Sequence, residues 1–193
     1  MIRRRLAGDE RGATIVEFAL VLPVLMTLLL GLFDTGYNLY TSAILQGAIQ
    51  KAARDSTLEG ATPADLDAKV TSTVHNIAPQ STIVFSRKSY TSFSDIGTPE
   101  DFTDVNNDGT CDAGEPYEDE NGNGTWDTDR GVTGNGGARD AVLYSVTVSY
   151  PHMFPLPSFV GMSNTYTMKS ETVLRNQPFD NQTTIQPVTR NCS

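Results

Sequence analysis

The stretch ATIVEFALVLPVLMTLLLGLF, Ala13 to Phe33, holds 21 residues and a single charged side chain, Glu17. A helix needs about 20 apolar residues to cross a hydrocarbon core of ~30 Å, so the run predicts a membrane span. Arg3, Arg4, Arg5 and Arg11 precede it, against only Asp9 and Glu10. The bias of basic residues toward the cytoplasmic side then places residues 1–12 in the cytoplasm and the chain beyond Phe33 outside. A cleaved secretory signal would have a shorter apolar core and a small-residue cleavage site after it. Here the run is followed by DTGYNLYTSAILQGAIQKAARDS, which is helical in pattern. A plain signal anchor and an anchor processed on its cytoplasmic side both stay open on this count. Pro23 lacks an amide hydrogen and either kinks the span or is tolerated within it, and Asp34 marks the end of the hydrocarbon.

Working outward, the 193-residue chain carries a net charge of −9, which argues against nucleic acid as a partner. Its 38% apolar content is that of a folded chain. The charge is segregated: no lysine or arginine falls between Asp95 and Asp129. Tyr37, Tyr40, Ile44 and Ala48, with Leu45, Ile49 and Ala52 alongside, recur at helical spacing. The anchor helix is therefore expected to continue to about Ser56, reaching ~65 Å at 1.5 Å per residue.

A second helix is predicted with Thr62 as its cap, Pro63 at its first position and Asp65 as a capping-box acid. Leu66, Val70, Val74 and Ile77 line one face of it, and Pro79 ends it. Strand patterns follow over 82–87, extending toward Phe93, then over 142–150 and 165–175. The second of these alternates, with Val142, Tyr144, Val146, Val148 and Tyr150 on one face. The expected architecture is α+β: a long N-terminal transmembrane helix continuing into a small domain of helix plus antiparallel sheet, with a calcium-loop insertion. The segments are a basic leader (1–12), the span (13–33), helices (34–78), a first strand region (79–103), an acidic insertion (104–130), further antiparallel strands (131–176) and a loosely held polar tail (177–193).

Within the insertion, Asp104, Asn106, Asp108, Asp112 and Glu115 occupy positions 1, 3, 5, 9 and 12 of an EF-hand-type calcium loop. Gly109 stands at position 6 for the sharp turn, and Thr110 offers its carbonyl at position 7. The pattern repeats as Asp119, Asn121, Asn123, Gly124, Thr125 and Asp127, but position 12 of this copy is Arg130. Asp129 or a residue of the other copy is expected to replace the missing glutamate. Calcium takes 6–8 oxygen ligands, and alternate positions of a tight turn supply them, whereas Mg²⁺ keeps strict octahedral geometry. The plain alternative is a solvated acidic loop rich in Asn-Gly and Asp-Gly turns. Cys111, at loop position 8, and Cys192 are the two cysteines. They either pair or remain separate thiols, and spacing alone does not decide.

Two resemblances add to this reading. Gly12, Ala13, the three residues after it, Glu17 and Phe18 form a segment that resembles the type IV prepilin processing site, where a peptidase cuts after the glycine. The resemblance implies that Ala13 becomes the amino terminus and that Glu17 meets the freed amine of a neighbouring subunit. An ionisable group in a membrane helix costs several kcal/mol or is paired; the bland alternative is a carboxylate that snorkels or stays protonated. More specifically, RGATIVEFALVLPVLMTLLLGLFDTGYNLY (Arg11–Tyr40), with its small-residue and aspartate exit at Gly31, Asp34 and Gly36, resembles TadE-like and TadG-like proteins. SYPHMFPLPSFVG (Ser149–Gly161) and SETVLRNQPF (Ser170–Phe179) resemble the terminal strand region of that family. The paired acidic loops resemble the calcium repeats of dockerins.

The resemblance implies a minor pilin or pseudopilin of a tight-adherence pilus system. It would be processed by prepilin peptidase, anchored in the cytoplasmic membrane, assembled with other pilin-like subunits, and stabilised outside the cytoplasm by Ca²⁺. A permanently anchored adhesin or assembly scaffold is the second reading. Hydrolase triad spacing, a phosphate-binding loop, a dinucleotide fingerprint and a zinc cluster are all lacking in the sequence, which speaks against an enzyme.

Overall fold

The computed structural model describes residues 11–56, 62–159, 161–176 and 186–193, with side chains from Ile15 onward. The predicted basic leader therefore falls almost wholly outside the described residues, as does the tail over 177–185. Helix α1, Arg11–Asp55, is one unbroken 45-residue helix that runs through Pro23. At 1.5 Å per residue it spans about 67 Å. None of the described residues covers its first half: Ile15, Phe18, Leu20, Val24, Leu28 and Leu32 are all exposed.

Past Asp34 the same helix becomes the spine of the domain. The buried stripe is Asn38, Thr41, Leu45, Ile49 and Ala52: the expected Leu45, Ile49 and Ala52 are in it, Tyr37 and Ala48 pack against it, Asn38 and Thr41 are added, and Tyr40 is exposed. Periodicity of apolar residues misses Asn38 and Thr41 because both are polar. Both are satisfied: Thr41 Oγ1 donates to the Tyr37 carbonyl at 2.9 Å, and Asn38 Oδ1 accepts from Tyr150 Oη at 2.9 Å.

Helix α2, Pro63–His75, begins as its sequence predicts. Thr62 caps it, its hydroxyl accepting from the Asp65 amide at 3.2 Å and donating to Asp65 Oδ2 at 2.7 Å. Removing such a cap costs about 1 kcal/mol, so Thr62→Ala is expected to lower the urea midpoint of the chain in detergent by an amount equivalent to that. An unchanged midpoint would deny the cap any part in stability. Leu66, Val70 and Val74 are the buried face of α2.

The main sheet has the order β3–β1–β4–β5. Its strands are β1 (Thr82–Tyr90), β3 (Val132–Thr133), β4 (Ala141–Pro151) and β5 (Thr165–Arg175), and every pairing is antiparallel. On β4, Val142, Tyr144, Val146, Val148 and Tyr150 point inward and are at most 2% exposed. They meet Leu45, Ile49, Leu66, Val70 and Val74 from the two helices in a single core. The opposite face is polar, with Ser145 donating to Glu171 and Ser149 bonded to Thr167, as expected of a sheet with one wet side. Arg87 ties α2 to the sheet: it bonds both oxygens of Asp67 at 2.6 and 3.0 Å and stacks on the Tyr144 ring at 4.5 Å. Tyr144 Oη donates to the same carboxylate, and burial followed by that negative charge raises its pKa.

Strand β4 runs back along α1 toward the apolar segment. Tyr150 bonds Asn38, then His152 Nδ1 lies 2.6 Å from Asp34 Oδ2 and the Met153 amide donates to Asp34 Oδ1. One end of the sheet thus adjoins the end of the apolar run. The other end, where Tyr90 pairs with Ala141, carries the long connection with the acidic loops.

Two short strands form a separate ribbon. Strand β2 (Pro116–Asp119) pairs antiparallel with β6 (Val188–Asn191). For the described residues 186–193 this corrects the expectation of a loosely held tail over 177–193; the rest of that tail lies outside the described residues. The physical reason is that ladder hydrogen bonds recruit backbone, and a four-residue edge strand with exposed side chains leaves no apolar alternation to read. The Cys192 amide donates to the Glu115 carbonyl, the Gly114 amide to the Cys192 carbonyl, and Cys192 is disulfide-bonded to Cys111.

Paired acidic loops as the candidate cation site

The two acidic loops are joined head to tail by β2, which starts directly after Glu115 and ends on Asp119. Their backbones match. Position 4 is left-handed in both (Asn107 φ 62°, Gly122 φ 75°), and so is position 6 (Gly109 φ 80°, Gly124 φ 83°). A left-handed residue at the sixth position is what the tight turn requires, and glycine takes it without a Cβ clash.

The hydrogen bonds repeat as well. Asp104 accepts from the amides of Asn107, Asp108 and Gly109; Asp119 accepts from those of Gly122, Asn123 and Gly124. Asn106 and Asn121 each accept from the amide two residues on. Thr110 bonds Asp108 with its amide and its hydroxyl, and Thr125 does the same to Asn123. These bonds, the Thr110 hydroxyl first among them, pull the Asp108 carboxyl down to about 2. Asn106 Nδ2 bridges Asp108 and Asp112, both at 2.9 Å, while Asn121 and Asn123 converge on Asp127.

At position 12 the two loops part in sequence and agree in space. In the first, Glu115 accepts from the Val105 amide (loop position 2) at 2.7 Å and the Asp112 amide (position 9) at 3.0 Å. In the second, the corresponding amides belong to Glu120 and Asp127. They donate to Glu100, at 2.9 and 3.1 Å. Glu100 lies upstream of both loops, is 1% exposed, and is held by its own amide to the Asp127 carbonyl and by Trp126 Nε1 to its carbonyl. Phe102 packs edge-on against Trp126 at 5.4 Å and buttresses this crossing.

Asp129, the expected substitute, is not in that place. It bonds Lys88 Nζ at 2.7 Å and Tyr90 Oη at 2.9 Å, which fastens the insertion to β1. Burial raises its pKa, but those bonds outweigh it and the net shift is downward. Arg130 also turns away, donating to the Pro99 carbonyl, Asp101 and Glu120. Nor does a residue of the first loop fill the gap. No local signal marks Glu100, because nothing in its own segment resembles a loop; only the missing acid in the repeat hints that a partner is needed.

The acceptors of each loop are carboxylate and side-chain amide oxygens, the donor chemistry that suits a hard divalent cation. Asp119, fully buried, also receives Arg190 Nε at 2.6 Å, so β6 contributes a positive charge to the second loop. A separate carboxylate group, Asp101, Glu118 and Glu120, lies outside the loops' convergent set and already holds Arg130 at 3.0 Å (Asp101) and 2.8 Å (Glu120).

Gly12 and Ala13 fall in the first turn of α1, and Glu17 is exposed one turn further on. A long apolar helix that becomes the spine of a small α+β domain defines a helix-led subunit, with its candidate cation loops at the far end of the sheet. Residues 12–54 match the family described as TadE-like protein, a segment that coincides with α1. The stretches 149–161 and 170–179 are not part of that match. No curated protein and no solved structure matches the chain.

Proposed function

We propose that this chain is a structural, non-enzymatic subunit associated with a bacterial tight-adherence pilus, acting as a minor pilin or pseudopilin. The observation that carries this is the TadE-like match over residues 12–54, which covers both the apolar half of α1 and the half that organises the domain. In this reading α1 crosses the cytoplasmic membrane and the domain stands outside it. Prepilin peptidase cuts between Gly12 and Ala13, and Glu17 pairs with the amine of a neighbouring subunit. Ca²⁺ occupies both acidic loops: Asp104, Asn106, Asp108, Thr110, Asp112 and Glu115 hold the first, and Asp119, Asn121, Asn123, Thr125, Asp127 and Glu100 the second. The ion offsets repulsion among carboxylates that otherwise oppose closure of the insertion.

The test is the mass of the mature protein from cells with and without the peptidase. A peptidase-dependent start at Ala13 is expected. A chain that begins at Met1 in both strains would remove the processed-pilin role and leave the second reading, a permanent anchor carrying an adhesin or scaffold domain.

A further inference from the structure

The β4–β5 connection, residues 152–164, has no acidic or basic side chain other than His152, and the next charge is Lys169. It nevertheless projects Met153, Phe159 and Met162 outward, at 51%, 82% and 66% exposure. Exposed apolar side chains grouped on one loop mark a surface that meets a partner or a membrane.

Its position selects between them. Along β4 the contacts with α1 descend from Asn38 at Tyr150 to Asp34 at His152 and Met153. Asp34 is the residue that ends the apolar run, so the chain beyond Met153 leaves the sheet on the side of the exposed apolar half of α1. The return strand begins beside the same point, with Pro151 paired to Thr165. The loop is therefore the membrane-side tip of the sheet, pinned to the last turn of the span by a carboxylate with two partners from the loop.

We propose that this loop is a second membrane contact: Phe159, Met153 and Met162 enter the interfacial layer of the leaflet on the domain's side, next to α1. Such side chains partition into the headgroup–acyl boundary, and the loop beyond His152, which is paired with Asp34, has no charge to desolvate there. With α1 alone, the domain is free to swivel and tilt about the helix axis; a second contact beside it fixes the face of the sheet that points along the bilayer. This inference rests on α1 crossing the bilayer.

The test uses the full chain in dilute liposomes containing lipids brominated near the headgroup end of the acyl chain, compared with unbrominated lipids. Three proteins are compared: the unsubstituted chain, whose Trp126 lies at the far end of the domain, and the variants Phe159→Trp and Leu28→Trp. Position 28 reports whether α1 is in the bilayer. Phe159→Trp is expected to show a blue-shifted emission and a loss of fluorescence with brominated lipid beyond that of the unsubstituted chain, with Leu28→Trp also quenched. Quenching at position 28 without excess quenching at 159 would overturn the loop contact and leave the anchor intact. Absence of quenching at both would overturn the span and, with it, the loop contact.

Discussion

Glu100→Gln is expected, on the proposal that each acidic loop holds one Ca²⁺, to leave the chain binding one ion instead of two. The substitution keeps the shape and one acceptor oxygen but removes the charge and the bidentate carboxylate at the twelfth position of the second loop. Altering only the support of a metal ligand weakens binding 10–100-fold, so losing the carboxylate is expected to cost at least about 100-fold at that site. Extracellular loops of this kind bind with a Kd of roughly 10⁻⁴–10⁻³ M, and such a loss takes the second site out of the millimolar range. Flow dialysis with radioactive calcium on the full chain in detergent counts the sites directly. Glu115→Gln should silence the first loop in the same way, and Asp129→Asn should leave the count unchanged. Two sites remaining in Glu100→Gln, or one lost in Asp129→Asn, would reverse the assignment. Because a ligand at 100 times its Kd stabilises the folded state by about 2.7 kcal/mol, the variant should also lose part of the calcium-dependent protection of the insertion against proteolysis.

The second large effect is expected from Cys111→Ser combined with Cys192→Ser. The bond closes a loop of 81 residues in sequence, and chain-entropy arguments put the stabilisation from such a closure at about 4.5 kcal/mol. Its loss should fall unevenly. The core of α1, α2 and β4 contains neither cysteine, whereas β6 is held to β2 by four residue pairs, the Arg190–Asp119 ion pair and this bond. The double variant is therefore expected to keep its far-ultraviolet circular dichroism under native conditions but to unfold at a lower midpoint, because the closed loop contains β4 and β5, and to become susceptible to protease within residues 104–130. Unchanged protease resistance would mean that the ribbon is stable without the bond. Collapse of the whole domain would mean that the insertion and the sheet fold as one unit.

What could be read in the sequence was local. The apolar run, the Thr62–Pro63–Asp65 start of α2 and the alternation on β4 each declare themselves within one continuous stretch of at most 21 residues, and each forms the element predicted. On α1 the expected Leu45, Ile49 and Ala52 are buried, but Asn38 and Thr41 were not read as part of the stripe because they are not apolar. Strands β2, β3 and β6 were missed because they are two to four residues long, and what defines them is pairing at a distance. Glu100 was invisible for the same reason. Its role depends on a backbone crossing over the second loop, which the repeat hints at only by what it lacks at Arg130.

The β2–β6 ribbon also has a meaning in time. In the proposed topology the domain emerges from the membrane in sequence order and delivers β2 long before β6, since β3, β4, α3 (Leu156–Phe159) and β5 lie between them. Until Val188–Asn191 emerges, β2 waits as a bare edge, Cys111 as a thiol, and Asp119 without Arg190. The main sheet needs none of these and can complete itself first. Closure of the acidic insertion is thus the last step of maturation among the described elements, and a stalled or clipped molecule would carry an open insertion on an otherwise finished domain, an unsealed end by which proteases could tell incomplete subunits from complete ones.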